Sequence, residues 1–191
     1  MLLRTISEEL GVSQTPVREA LLQLVSERAL TMARGKSITV PVFDKKRLQD
    51  LRAIRLKLEV MAAEHAVQHI EAADIDKLEQ IHQTMMECKL NEDREGTLFH
   101  NFEFHSTLYA ASQMTDLIAI IEGLWAQTGP ALTHLYVAPF VHSEGSHPHV
   151  TIIDALRRRD TSEVLKAITR DVDEYGAALM ERLPADTDIQ A

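Results

Sequence analysis

The chain has 191 residues, 45% of them apolar, and a formal net charge of −9, which allows a sizeable core and argues against wholesale nucleic-acid binding. No run of about 18 apolar residues and no basic-then-apolar leader occurs, so neither a membrane span nor a signal peptide is expected, and the single cysteine, Cys88, excludes a disulfide framework and fits a reducing cytoplasm. The charge is uneven: residues 1–47 carry eight basic against five acidic side chains and the remainder 12 against 24, a mildly basic head on an acidic body.

In the head, Leu3 to Leu10 reads as a short helix with Ile6 and Leu10 on one face, stopped by Gly11. Ser13 is a suitable N-cap for a second helix, Pro16 falls within its first turn, and Val17, Ala20, Leu21, Leu24 and Val25 recur at helical spacing. Two short β-branched runs, Ala29 to Met32 and Ser37 to Val42, flank Ala33-Arg34-Gly35-Lys36 and read as a hairpin with a basic tip. Helix, glycine turn, helix and hairpin make a winged helix-turn-helix over residues 1–42. Its second helix leads with Ser13, Gln14, Thr15 and Arg18, short hydrogen-bonders and a cation suited to a major groove.

The run Leu10-Gly11-Val12-Ser13-Gln14-Thr15-Pro16-Val17-Arg18-Glu19-Ala20-Leu21 resembles the DNA-binding core of GntR-family transcriptional regulators. That resemblance implies DNA contacts from Arg4, Thr15 and Arg18, with Gly35 and Lys36 at the wing tip. Gln14 stands where the family usually has arginine. The family also has a helix and a loop before the stretch matching Leu2 to Leu10, so the first helix is expected to be missing here, through a start assigned too late or a truncated chain.

The body, residues 43–185, reads as an antiparallel bundle of six or seven helices, followed by a flexible tail, 186–191. Asp44 caps a helix running to about His69, with Leu48, Leu51, Ile54, Leu58 and Met61 or Ala62 inward. Within it, Arg55-Leu56-Lys57-Leu58-Glu59 resembles the signature opening the ligand-binding domain of the FadR branch of that family, the FCD type. Further helices span about Ala73–Asn91, Glu95–Ser112 and Thr115–Tyr136, the last with Ile118, Ile121, Leu124 and Trp125 inward. A loop follows over Val137–Gly145. Ser146 or His147 caps a helix that has Pro148 at its first position and runs to Arg159, and Asp160 with Glu163 opens the last helix, to about Arg182.

Asn101 and His105, four apart, share one face of a helix on which Leu98, Phe102, Leu108 and Tyr109 can pack. An amide oxygen and an imidazole in an apolar setting suit either a hydrogen-bond network or a bound cation. The run from His149 to Asp160 resembles the family's penultimate helix, whose leading histidine is a metal ligand, and the family's set of an aspartate and three histidines falls on Asn101, His105, His149 and Asp171. Asn101 thus replaces the aspartate and Asp171 the last histidine. One carboxylate remains, with room for a Zn, Ni or Mn class ion. His134 or His147 could join, whereas His65, His69, His82, His100 and His142 read as scattered surface residues. Arg55, directed inward, would clamp an effector's carboxylate or else pair with Glu59.

The resemblance implies a cytoplasmic, homodimeric regulator, a repressor, that binds a double-stranded DNA operator and responds to a small organic acid or sugar acid. A metal-dependent hydrolase or lyase is the alternative from another class. It lacks a general base, because Glu103 points away from Asn101 and His105. A sensing and dimerisation module without DNA binding is a further alternative.

Overall fold

The computed structural model describes residues 3–33, 37–41, 44–132 and 147–182. The wing tip with Gly35 and Lys36, the loop over Val137–Gly145, His134, His142 and the tail 186–191 lie outside them.

The head begins with α1 (Leu3–Glu9) and α2 (Gln14–Ser26). Between them Gly11 takes φ +65°, a left-handed turn that glycine adopts without strain. Strands β1 (Thr31–Met32) and β2 (Ile38–Thr39) pair antiparallel, Thr31 opposite Thr39, so the hairpin forms at the expected place with shorter strands. Val17, Leu21 and Leu30 bury together, with Ile6, Leu24 and Val25 against them. Leu10 and Ala20 do not join this core, contrary to the stripe read from the sequence. Leu10 lies past the end of α1, where the turn carries it outward.

Six further helices follow among the described residues: α3 (Lys45–His69), α4 (Ala72–Leu90), α5 (Arg94–Ala110), α6 (Thr115–Leu132), α7 (Pro148–Arg157) and α8 (Thr161–Arg182). Three of the starts, those of α3, α5 and α8, are aspartate side-chain caps. Asp44 accepts the Arg47 N–H at 2.6 Å, Asp93 that of Gly96 at 2.9 Å and Asp160 that of Glu163 at 3.0 Å. Helices α4, α5 and α7 stop in tight turns, with Glu92, Gln113 and Arg159 each at φ between 56° and 59°. Arg159 also donates from Nη1 to the Val67 carbonyl at 2.7 Å, tying the α7–α8 turn to the last turn of α3.

Helix α3 packs on α6 and α8, α4 on α5 and α7, and α7 on α8. One continuous core results, with Ala62, Ala66, Leu78, Phe104, Leu108, Ile152, Leu156 and Ile168 almost wholly enclosed. On α3 the inward stripe includes Leu48, Leu51, Glu59, Ala62 and Ala66, while Ile54 and Met61 face outward. Arg55 and Glu59 take the inner positions that hydrophobicity alone would give to their neighbours. On α5 Phe102 is likewise exposed, and Phe104 takes the buried place.

Candidate functional site

Three helix positions converge at the centre of the bundle. Helix α5 presents Asn101 and His105 one turn apart, the first turn of α7 supplies His149, and the middle of α8 supplies Asp171; all four are buried. His147 sets the entry of α7: it is the N-cap, its Nδ1 accepts the His149 N–H at 3.2 Å, and Pro148 follows where a missing N–H is harmless. The Phe104 ring stacks on His149 with 3.7 Å between centroids and 4° between planes, which fixes the imidazole plane.

His105 Nε2 stands 2.9 Å from Asp171 Oδ2 and 3.3 Å from His149 Nε2, and His149 Nε2 is 4.0 Å from Asp171 Oδ1. Asn101 Oδ1, Asp171 Oδ1 and His149 Nδ1 are buried without a hydrogen-bond partner. The proton on His105 can be placed from its surroundings. The Tyr109 hydroxyl donates to Glu59 Oε2 at 2.7 Å, so its oxygen accepts from His105 Nδ1 at 3.2 Å, which leaves Nε2 as a bare lone pair when the ring is neutral. That lone pair faces a carboxylate oxygen at 2.9 Å, an arrangement that requires a positive charge between the two atoms. Two ligands each about 2.0–2.2 Å from one ion stand roughly 3–3.5 Å apart, and the observed 2.9 and 3.3 Å separations fit that spacing. A proton on His105 would satisfy the Asp171 contact, but it would leave Asn101 Oδ1 and Asp171 Oδ1 without partners.

Burial pushes His149 well below the ordinary histidine range, with the neighbouring imidazoles His105, His147 and His82 adding to the effect. His147 is lowered to about 4, again chiefly by burial. Both rings are therefore neutral near pH 7, each with one lone pair; that of His147, on Nδ1, accepts the His149 N–H. His82 was expected on the surface, but it is buried, and burial lowers it too. The buried stripe Ile75, Leu78, His82, Met85 has helical spacing that marks His82 as an inner residue.

Behind His105 lies the carboxylate of Glu59, which closes the Arg55–Glu59 signature. Glu59 is wholly buried and accepts from Tyr109, from Trp125 Nε1 at 3.1 Å and from Arg55 Nε at 2.6 Å. Arg55 does point inward, and it does pair with Glu59. Its guanidinium also lies 4.1 Å over the Trp125 ring and reaches Thr128 Oγ1 at 3.4 Å. A small cleft, with about 40 Å³ of enclosed space, opens beside this group; Arg52, Arg55, Asn101, Trp125, Thr128 and Asp171 are among its walls. Arg52 pairs with Asp173 at 2.6 Å and crosses α8 at Gly176, where a Cβ would come within 2.5 Å of its Cδ. Glu103 instead bonds His100 at 2.9 Å.

In the head, Ser13, Gln14, Thr15 and Arg18 are all exposed at the start of α2. Ser13 occupies the N-cap position but makes no side-chain cap, so its hydroxyl is not committed to the helix. Arg4 lies on the exposed surface of α1, paired with Glu8 at 2.7 Å.

A family profile described as "FCD domain" matches residues 50–174, and one described as "Bacterial regulatory proteins, gntR family" matches residues 1–40. The HTH-type transcriptional regulator McbR of Escherichia coli (strain K12) is 35% identical over 162 residues, which cover 84% of this chain and 73% of that protein. The gluconate operon transcriptional repressor of Bacillus subtilis (strain 168) is 24% identical, over 89% of this chain and 72% of its own. Among solved structures, that of E. coli McbR/YncC is similar with a TM-score of 0.89 and 31% identity, covering 96% of this chain and 88% of that one. A GntR-type putative regulator from Rhodococcus sp. RHA1 shares the fold, with a TM-score of 0.72 at 18% identity and coverage of 95% and 86%.

Proposed function

The chain belongs to the gntR family of bacterial regulatory proteins, with an FCD domain, and from that membership we propose that it is a metal-dependent, effector-responsive repressor acting as a homodimer on a DNA operator. It is a DNA-binding transcriptional regulator and not an enzyme, as its relatives and fold are. The hydrolase or lyase alternative therefore falls. In this reading residues 1–42 form the DNA-binding head and 43–185 the effector-binding and dimerisation body.

The observation that carries the metal reading is the buried meeting of His105 Nε2, His149 Nε2 and the Asp171 carboxylate, with Asn101 Oδ1 unsatisfied beside them. These four residues would hold a divalent ion of the Mn, Ni or Zn class, which supplies positive charge and open positions for an anionic ligand's oxygens. Asn101, Asp171 and Arg55 all line the cleft, so a small organic acid or sugar acid entering there would meet the Arg55 guanidinium and the proposed ion. Arg4, Ser13, Gln14, Thr15 and Arg18 contact the operator, with Gly35 and Lys36 at the wing tip.

Elemental mass spectrometry of the purified full chain, with melting curves before and after chelation, tests the metal. About one ion per chain and a lower Tm after chelation are expected. Absence of metal, with none taken up on addition of Mn2+, Ni2+ or Zn2+, would overturn the metal reading. A gel shift on the gene's upstream region tests the head. No shift at any protein concentration would leave a sensing module without DNA binding.

A further inference from the structure

A second group of imidazoles gathers around His149. One ring nitrogen from each of His82, His147 and His149 lies within 4.8 Å of the other two. The ring centroids are 5.2 Å apart for His82 and His147, 5.4 Å for His82 and His149, and 4.5 Å for His147 and His149. His82 and His149 are both at least nine-tenths buried, and the Nδ1 atom of each has no hydrogen-bond partner. Buried ring nitrogens are seldom left so, and two in one cluster point to something that both can hold. The stacked Phe104 ring fixes the plane in which the His149 nitrogens lie.

We propose that His82, His147 and His149 form a second seat for a divalent cation, built wholly of imidazole, which competes with the inner set for His149. The competition follows from the chemistry of one ring. A neutral imidazole has a single lone pair, on whichever nitrogen lacks the proton. With that lone pair on Nε2, His149 serves His105 and Asp171; with it on Nδ1, His149 serves the outer set. The seats therefore hold one ion per chain between them, and the His149 tautomer selects which is filled. Their donor atoms differ. The inner seat has a carboxylate and an amide oxygen beside two nitrogens and suits Mn2+, whereas three imidazoles favour Cu2+ or Ni2+. His147 ligates only by giving up its cap of α7, because its one lone pair accepts the His149 N–H at Nδ1; that bond is long, at 3.2 Å, and gives way to the metal. The outer seat depends on the inner-metal reading only for this exclusion.

The test uses the full chain stripped by chelation, with Cu2+ alone and Mn2+ alone as probes. Titration calorimetry gives affinity, and electron paramagnetic resonance counts nitrogens coupled to Cu2+. Wild-type protein binds one Cu2+ with three nitrogens. His82→Gln and His147→Asn each lower Cu2+ affinity about tenfold or more and remove one coupled nitrogen, with Mn2+ affinity unchanged; Asp171→Asn does the reverse. Asparagine at position 147 retains an N-cap side chain, so this variant keeps the helix start if His82→Gln fails to fold. Cu2+ affinity unchanged in both histidine variants overturns the outer seat. Equal losses of Cu2+ and Mn2+ in both would mean a single seat and overturn it too. Cu2+ binding that depends on His82 and His147, with no Mn2+ bound by wild type, would remove the inner seat and leave the outer one standing.

Discussion

The usable lone pair of His105 depends on a residue one turn along α5. Because Tyr109 gives its hydroxyl proton to Glu59, its oxygen can only accept from His105, and the imidazole proton is held on Nδ1. Tyr109→Phe keeps the ring and its packing but removes that acceptor. Metal affinity by calorimetry should fall about 10- to 100-fold with little change in helix content; an unchanged affinity would show that Tyr109 does not orient the ligand. His105→Ala removes a donor outright and should abolish stoichiometric metal uptake and effector response together. The buried histidines also set a pH dependence. His82, His147 and His149 all have lowered values in the folded chain, so as pH falls below about 6.5 the unfolded chain takes up protons that the folded chain refuses. Stability should therefore decline from about pH 6.5 downward, toward the value of about 4 reached by His147, and the decline should be steeper with metal present, since protons compete for the same lone pairs. A Tm constant from pH 7 to pH 5 would contradict this.

The helices that carry His149 and Asp171 are each positioned by a device at their start. His147 and Pro148 start α7 so that His149 falls in its first turn, and Asp160 starts α8 eleven positions, about three turns, before Asp171. Asp160→Ala should cost about 1 kcal/mol through loss of the cap, or a few degrees in Tm. Metal affinity should fall less than for Tyr109→Phe, because α8 is also held by Val164, Ile168 and Leu179 in the core. These devices are legible in the sequence, since Asp, Pro and Gly signal ends by their own backbone chemistry. So is the pairing of Asn101 with His105, which needs only a spacing of four. His149 and Asp171 are not reachable by spacing; a family resemblance singles them out, because nothing local says which distant helices will meet. Glu59, Tyr109 and Trp125 read as an ion-pair partner and two core aromatics, and their joint role exists only where α3, α5 and α6 touch. His82 was readable, because the stripe through Ile75, Leu78 and Met85 passes through it.

At the scale of the molecule, the proposed function divides the work between the basic head and the acidic body. The exposed start of α2 would meet phosphates and base edges, so Arg18→Ala should lower operator affinity about ten- to a hundredfold without moving Tm, and should flatten the dependence on salt. In the proposed function the body alters that affinity from a distance. Arg55 belongs at once to the cleft and, through Glu59, Tyr109 and His105, to the surroundings of the proposed metal site. An acid that draws Arg55 away from Glu59 changes the charge that Tyr109 feels, so effector and metal should bind as coupled ligands rather than independently. Coupling is reciprocal: if an organic acid weakens operator binding by some factor, saturating operator must weaken the acid by the same factor, typically about 5- to 150-fold. Measuring acid affinity by calorimetry with and without operator DNA, for the metal-loaded and chelated chain, separates the links. Equal factors in both directions for the loaded chain, vanishing in Arg55→Ala, are expected. A factor that survives chelation and Arg55→Ala would place the effector elsewhere in the bundle.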